Sequence, residues 1–178
     1  MPTTTGSYAR DANRIPIVTD GVITTTSTTL SGNNTTVATP IFRITGSVEV
    51  RGLWGTVTTD LGSNNTAAYW RLNDQTAQVD ITLSTGTTLS SVKAGSTIVK
   101  KGLAASALAL QNNSAGRISE PTTLETTYFS PFVMVQKTGA VNTDIEFVYT
   151  TTNTPTTGAI QFFLRWLPLS ADAAVTAL

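Results

Sequence analysis

The chain has 178 residues with eleven basic and eleven acidic side chains, no His and no Cys. These absences exclude a disulfide framework, a Cys/His zinc site, a thiolate nucleophile and a Ser-His-Asp triad, and the balanced charge argues against electrostatic capture of nucleic acid or of an anionic membrane. Thr accounts for 36 residues and charged side chains for only 12%, against about a quarter in an average soluble protein, so the surface is hydroxyl-rich and weakly charged, as in many shell, fibre and adhesin proteins.

The first twenty residues predict an extended arm. No apolar periodicity precedes Ile15, and Pro16 directs the residues before it away from a helix. Two interpretations are open. The segment is either a frayed terminus or an arm that becomes ordered on a partner, with Arg10 and Arg14 as anchors and Ile15 and Ile17 as apolar plugs.

Residues 21–169 predict one domain of short strands separated by polar turns. The predicted strands are Val22–Thr29, Val37–Thr45, Ser47–Val50, Leu53–Thr59, Ala68–Leu72, Val79–Leu83, Thr97–Lys101, Ala104–Leu110, Tyr128–Val135, Glu146–Thr152 and Ala159–Leu167. No segment shows sustained helical periodicity, and only Leu83–Lys93 has the pattern of a short helix. This spacing predicts an all-β fold, an antiparallel β-sandwich or jelly roll, rather than βαβ units.

Two terminal features complete the predicted organisation. The small, apolar tail at residues 170–178 is either a mobile end or a segment that docks on a neighbouring subunit. The N-terminal Met1–Arg10 lacks the apolar core of a signal peptide. The longest apolar stretches, Leu103–Leu110 and Ile160–Leu169, are far shorter than the roughly 20 residues of a membrane span, so we expect no membrane partner.

Aromatic residues supply the candidates for contacts between subunits, namely Trp54, Tyr69, Trp70, Phe162 and Trp166. Tyr69 and Trp70 are adjacent on a predicted strand, so one faces the core and the other faces outward. The outward residue is either an interface anchor or a platform for a sugar ring. The nearly continuous apolar run Ile160–Leu169 indicates a strand buried on both faces, which in a sandwich is typical of a subunit contact.

The sequence does not indicate catalysis, a cofactor or a metal site. Asp144 and Glu146 are two residues apart on a predicted strand edge and share one face, as a carboxylate pair requires, but a solvated strand face explains them better. The loop Asp60–Thr66 offers oxygen ligands but one carboxylate, which suits an Asx turn better than calcium. We therefore predict a non-enzymatic protein without cofactor or metal.

The segment Ala9–Ile17, with the sequence ARDANRIPI, resembles a short pattern of structural proteins in tailed-bacteriophage virions. There an Arg-Asp-x-Asn-Arg-Val/Ile-Pro-Val/Ile head precedes a Thr-rich β body. The matching residues are Arg10, Asp11, Asn13, Arg14 and Pro16. The Thr-rich stretch Tyr149–Gly158 and the following Phe162–Trp166 are of similar character. The resemblance implies a capsid decoration (cement) protein, a head-fibre base or a tail component, and such proteins are commonly homotrimers whose N-terminal arms lie across the capsid lattice.

From this resemblance we expect a homotrimeric decoration protein on the outer capsid surface, made in the host cytoplasm. The residues expected to bind the major capsid protein, or another virion protein, are Arg10, Asp11, Asn13, Arg14, Ile15, Pro16 and Ile17. Two alternatives stay open. One is a tail, baseplate or head-fibre component, although the chain has no coiled-coil or collagen-like repeat. The other is a carbohydrate-binding receptor-recognition module that uses Trp54, Tyr69 or Trp70.

Overall fold

The computed structural model describes residues 8–10, 16–18, 21–102, 107–111, 131–139, 142–152 and 157–178. Every regular element in these ranges is a β-strand. The strands are β1 (Tyr8–Arg10), β2 (Pro16–Val18), β3 (Val22–Thr29), β4 (Thr36–Thr45), β5 (Ser47–Thr59), β6 (Asn65–Asn73), β7 (Gln78–Asp80), β8 (Thr97–Val99), β9 (Ala109–Gln111), β10 (Phe132–Val135), β11 (Asp144–Thr151), β12 (Ala159–Pro168) and β13 (Ala174–Ala177).

Two antiparallel sheets form the body of the protein. The six-stranded sheet has the order β3-β12-β5-β8-β9, and β10 pairs with a different part of β5. The five-stranded sheet has the order β13-β4-β11-β6-β7. The all-β sandwich expected from the strand spacing is therefore confirmed.

The core lies between the two sheets and follows the two-residue period of the strands. Along β12 the even-numbered side chains from Ile160 to Trp166 are buried, while the odd-numbered ones are partly exposed. The sheets meet where the Phe147 ring of β11 lies 4.8 Å, centroid to centroid, from the Phe162 ring of β12. Burial of such aromatic side chains is the main favourable term for a sandwich of this kind.

The two sheets are joined at a one-residue corner. β4 belongs to the five-stranded sheet and β5 to the six-stranded sheet, and only Gly46 separates them. Its φ of 64° lies in the left-handed region, which glycine adopts without steric cost. The Gly46 N–H donates to Gln136 Oε1 at 3.1 Å and the Ser47 N–H donates to Ser170 Oγ at 2.9 Å. Side chains of neighbouring segments thus supply hydrogen-bond acceptors for the backbone N–H groups of the corner.

The C-terminal tail is part of this body. β13 pairs antiparallel with β4, and the Thr26 hydroxyl of β3 donates to the carbonyl of Leu178 at 2.6 Å. The expectation of a mobile or intermolecular tail is therefore wrong for these residues. Val175 packs against the core, so the alternation of apolar and small side chains in this segment makes an edge strand of its own chain.

The segment Leu83–Lys93 contains no helix, contrary to the possibility left open by its pattern. Its backbone instead bonds to the start of β6 and to the loop before it. Leu89 N–H donates to the carbonyl of Asn65, the first residue of β6, at 3.2 Å, and Ser91 N–H donates to the Gly62 carbonyl of the loop at 3.1 Å. Leu89 is fully buried. Tertiary packing of one apolar residue thus overrides a weak local preference.

Within the N-terminal arm, the structure describes β1 and β2, which pair with each other in antiparallel fashion, Arg10 opposite Pro16. They form a separate two-stranded sheet. The extended backbone predicted for this segment is found in both strands.

Candidate contact surface

Three of the five aromatic contact candidates lie inside the sandwich. Trp70 and Phe162 are fully buried and Trp166 is 7% exposed. The Trp166 indole N–H donates to the Thr24 hydroxyl at 3.1 Å. The prediction that these three contact another subunit is wrong, because their side chains fill the space between the sheets of one chain. Strand β12 is buried on one face only.

Trp54 and Tyr69 are the two candidates that remain on the surface. Trp54 lies on the outer face of the six-stranded sheet and Tyr69 on the outer face of the five-stranded sheet, and both are partly exposed. Since Trp70 is buried, the expectation that one of the pair Tyr69 and Trp70 faces inward is confirmed.

The outer face of the five-stranded sheet is covered by its own ion pairs. Arg43 donates two hydrogen bonds to Asp144, at 2.9 and 3.0 Å, and Arg71 donates to Glu146 at 2.6 Å. The two carboxylates share one face, as predicted, but β11 is the central strand and both residues are buried. The expectation of a strand edge and a solvated face is therefore wrong. Hydrogen bonds to Asp144 also raise the pKa of the Arg43 guanidinium.

Val148 gives a measure of how completely this face is covered. It lies on the same outer side as Glu146, directly opposite Tyr69 on one neighbouring strand and Ala38 on the other. It is nevertheless fully buried and lies outside the core cluster between the sheets. The centre of this face is therefore shielded from water at Val148.

Asp60, in the loop that the sequence offered as an Asx turn or a calcium site, forms a salt bridge. Its carboxylate accepts hydrogen bonds from Lys93 Nζ and from the Ala94 N–H, both at 2.8 Å, and the Lys93 contact lowers the pKa of Asp60. Among the residues that the structure describes, no three acidic side chains gather as metal ligands do. The same ranges contain no helix of the length and hydropathy that a membrane crossing requires.

The outer face of the six-stranded sheet carries a partly exposed aromatic pair. Trp54 of β5 and Phe163 of β12 lie directly opposite each other, and their rings stack with centroids 5.2 Å apart and planes 5° apart. On the other side of β5, Trp54 lies opposite Val99 of β8. A groove of about 410 Å³ opens there. We call it the Trp54 groove; it is lined by Arg51, Gly52, Leu53, Trp54, Thr56, Thr97 and Val99.

One end of the same face carries three exposed aliphatic side chains and one, Leu167, that is partly exposed. We call this surface the apolar patch; it consists of Val133, Val135, Leu167 and Leu169. Val133 and Leu167 lie on either side of Glu49, and Val135 and Leu169 lie on either side of Ser47. The exposed fractions are 59% for Val133, 58% for Val135 and 52% for Leu169. Clustered exposed aliphatic residues of this kind mark contacts with other macromolecules.

A buried lysine adjoins strand β10, which carries half of the apolar patch. Lys100 is 4% exposed, donates from Nζ to the Gly102 carbonyl at 2.7 Å and lies 5.4 Å from the centre of the Phe132 ring. Burial lowers the pKa of its ammonium group. The contact with Lys100 helps to keep the Phe132 ring turned inward. Because side chains alternate along a strand, Val133 and Val135 then face outward.

The predicted capsid-binding residues are only partly within the described structure. Arg10 ends β1, and Pro16 and Ile17 lie in β2. The other four, Asp11, Asn13, Arg14 and Ile15, lie outside the described residues.

Sequence reasoning missed the apolar patch. The run Phe-Val-Met-Val is apolar at every position, so its period does not tell which residues face outward. The assignment depends on the register against Glu49 and Ser47, which are themselves outward.

The chain was compared with models of protein families, with curated proteins and with solved structures, and none of the three comparisons gave a match.

Proposed function

We propose that this chain is a non-enzymatic structural protein of a bacteriophage virion, a homotrimeric decoration protein that binds the capsid shell through its N-terminal arm. The observation that carries the proposal is the apolar patch on an otherwise weakly charged, hydroxyl-rich sandwich. Val133, Val135 and Leu169 are neighbours, and each is more than half exposed. Grouped aliphatic side chains of this kind suit another protein surface, and Glu49 and Ser47, which lie between them, can take part in its polar contacts.

The patch is the contact that we assign to a second copy of the chain. It lies at an edge of the six-stranded sheet, where β10 is only four residues long. Exposed aliphatic side chains at the edge of a sheet are a site at which another chain can pack. A trimer that used this edge would cover the patch and would present three arms to one shell, which multiplies weak contacts into firm attachment.

The arm supports the capsid part of the proposal. Its residues Arg10, Asp11, Asn13, Arg14 and Pro16 carry the resemblance to virion proteins. A segment that orders on binding can cover a large area for its length. A tail or baseplate position would use the same arm on a different virion protein.

The subunit contact is tested by light scattering of the purified protein. We expect a mass of three times the 18.7 kDa of one chain. Replacing Val133 and Val135 together by Asp places charges in the patch and should reduce the mass to that of one chain. Val79→Asp is the matched control, because Val79 is also 59% exposed but lies on β7 of the other sheet. An unchanged mass in the double variant would rule out the patch as the contact.

The arm is tested on capsid shells assembled from the major capsid protein of the same genome. The full chain should sediment with the shells, and a variant that lacks residues 1–20 should not. The circular dichroism of the truncated variant should retain the β signal of the sandwich, which shows that its failure to bind is not unfolding. Equal sedimentation of both forms would refute the role of the arm.

A further inference from the structure

The Trp54 groove combines an aromatic ring face with hydrogen-bonding groups. Phe163, in β12, covers the face of the Trp54 indole that is turned toward β12, since the two rings are parallel within 5°. β8 lies on the opposite side of β5. The other face of the indole is therefore turned toward β8 and Val99, where the groove lies.

The floor of the groove is open because Gly52 has no side chain. A β-carbon at this position would lie 3.1 Å from Cζ3 of Trp54, which is closer than an ordinary carbon–carbon contact. Any larger side chain would occupy the space beside the indole. The groove volume of about 410 Å³ falls within the range of small-molecule sites, roughly 300–1,000 Å³.

The polar groups of the groove suit an uncharged polyhydroxyl ligand. Thr56 and Thr97 lie opposite each other on β5 and β8 and contribute hydroxyl groups that donate and accept hydrogen bonds. Arg51 contributes further donors, and its charge is balanced by Glu49, with 3.3 Å between Nη2 and Oε2. The lining thus offers hydrogen bonds without a strong net charge.

We propose that the Trp54 groove binds a neutral saccharide, with a pyranose ring stacked on the part of the Trp54 indole that lines the groove and its hydroxyl groups bonded to Thr56, Thr97 and Arg51. One face of a pyranose is made of C–H groups, which pack on an aromatic ring as other apolar groups do. The hydroxyl groups at the ring edge then meet the polar lining, and these few polar contacts fix orientation.

This site adjoins the apolar patch, because the groove residue Arg51 pairs with Glu49, but it does not rest on the proposed virion function. Trp54 lies on the far side of Arg51 and Gly52 from the β5 residues Ser47 and Glu49, which bear the patch. The two proposals fail in different measurements.

Tryptophan fluorescence tests the proposal directly. The chain has three Trp residues, and Trp70 and Trp166 are buried whereas Trp54 is partly exposed. Titration with dextran, mannan, galactan and xylan should shift the emission to shorter wavelength for at least one of them, because a stacked sugar removes water from Trp54. No shift with any of these neutral polysaccharides would overturn the proposal.

Variants separate stacking from other effects. Trp54→Ala should weaken binding of the active polysaccharide, measured by affinity electrophoresis, by about tenfold or more. Gly52→Val should do the same while Trp54 is retained, because it fills the groove floor. Tyr69→Ala, which removes a partly exposed ring from the other sheet, is the control and should bind normally. If Trp54→Ala binds the polysaccharide as well as the original chain does, the saccharide site is refuted. The same holds if the substitution changes the mass of the protein in solution without weakening binding, because the groove would then have a different role.

Discussion

Replacing Gly46 at the corner between the two sheets should destabilise the protein in two ways, through backbone strain and through displacement of packed side chains. A β-carbon at Gly46 would lie 2.5 Å from Ser170 Oγ and 2.6 Å from Asp172 Oδ1. Gly46→Ala therefore imposes a left-handed alanine, which costs about 1–2 kcal/mol, and also displaces the Ser170 hydroxyl. That hydroxyl accepts from the Ser47 N–H and donates to Asp172, and the two lost bonds cost about 1 kcal/mol each.

Together these terms lower the free energy of unfolding by about 3–4 kcal/mol, and the melting temperature by about 6–16 °C for a chain of this size. Gly139→Ala is the matched control. Its φ of 74° imposes similar backbone strain, but none of the described atoms lies within 4 Å of its β-carbon position. It should lower the melting temperature by about 2–8 °C. Thermal unfolding followed by circular dichroism measures both. Equal melting temperatures for the two variants would refute the packing part of the reasoning.

Three further predictions concern polar contacts of the sandwich. Tyr149→Phe should lower stability by about 1–2 kcal/mol in urea unfolding, because the buried phenol accepts from the Ser31 N–H at 2.9 Å and donates to the Ser31 carbonyl at 3.0 Å; an unchanged midpoint would contradict this. Glu146→Ala should cost about 3 kcal/mol in the same assay, since it leaves the Arg71 guanidinium, only 16% exposed, without its counter-charge; a cost below that of Tyr149→Phe would contradict it. Backbone N–H groups of its own turn hold the pKa of Asp74 well below the ordinary carboxyl value. The ionised carboxylate therefore stabilises the fold at pH values above that ordinary pKa, and this stabilisation is lost as the pH falls below it. Asp74→Asn should flatten the acid limb of a plot of stability against pH, and an unchanged slope would contradict a stabilising role of the Asp74 carboxylate.

Part of the strand pattern of the body could be read from the sequence, even where alternation was weak. The first strand of the sandwich was predicted as Val22–Thr29 and has those bounds. The inward and outward placement of Tyr69 and Trp70 also followed from the two-residue period alone. These are local properties, and no knowledge of strand order was needed for them.

The contact residues could not be read in the same way, because they depend on which strands are central. The apolar run of β12 suggested burial on both faces, yet β11 is the strand with that burial, from Asp144 to Tyr149. From their charge, the acidic residues of β11 were expected to be exposed to solvent. They are buried because Arg43 and Arg71 lie opposite them on the two flanking strands, and a sequence without strand order does not reveal that pairing.

The two outer faces of the sandwich therefore differ in what they offer a partner. On the five-stranded sheet, Arg43 and Arg71 already satisfy the carboxylates of the central strand, so a partner would have to displace well-formed ion pairs at a cost in desolvation. On the six-stranded sheet, Val133 and Val135 gain from any partner that removes them from water. This asymmetry supports the assignment of contacts to the six-stranded sheet and predicts that charges introduced there, rather than on the opposite face, disrupt assembly.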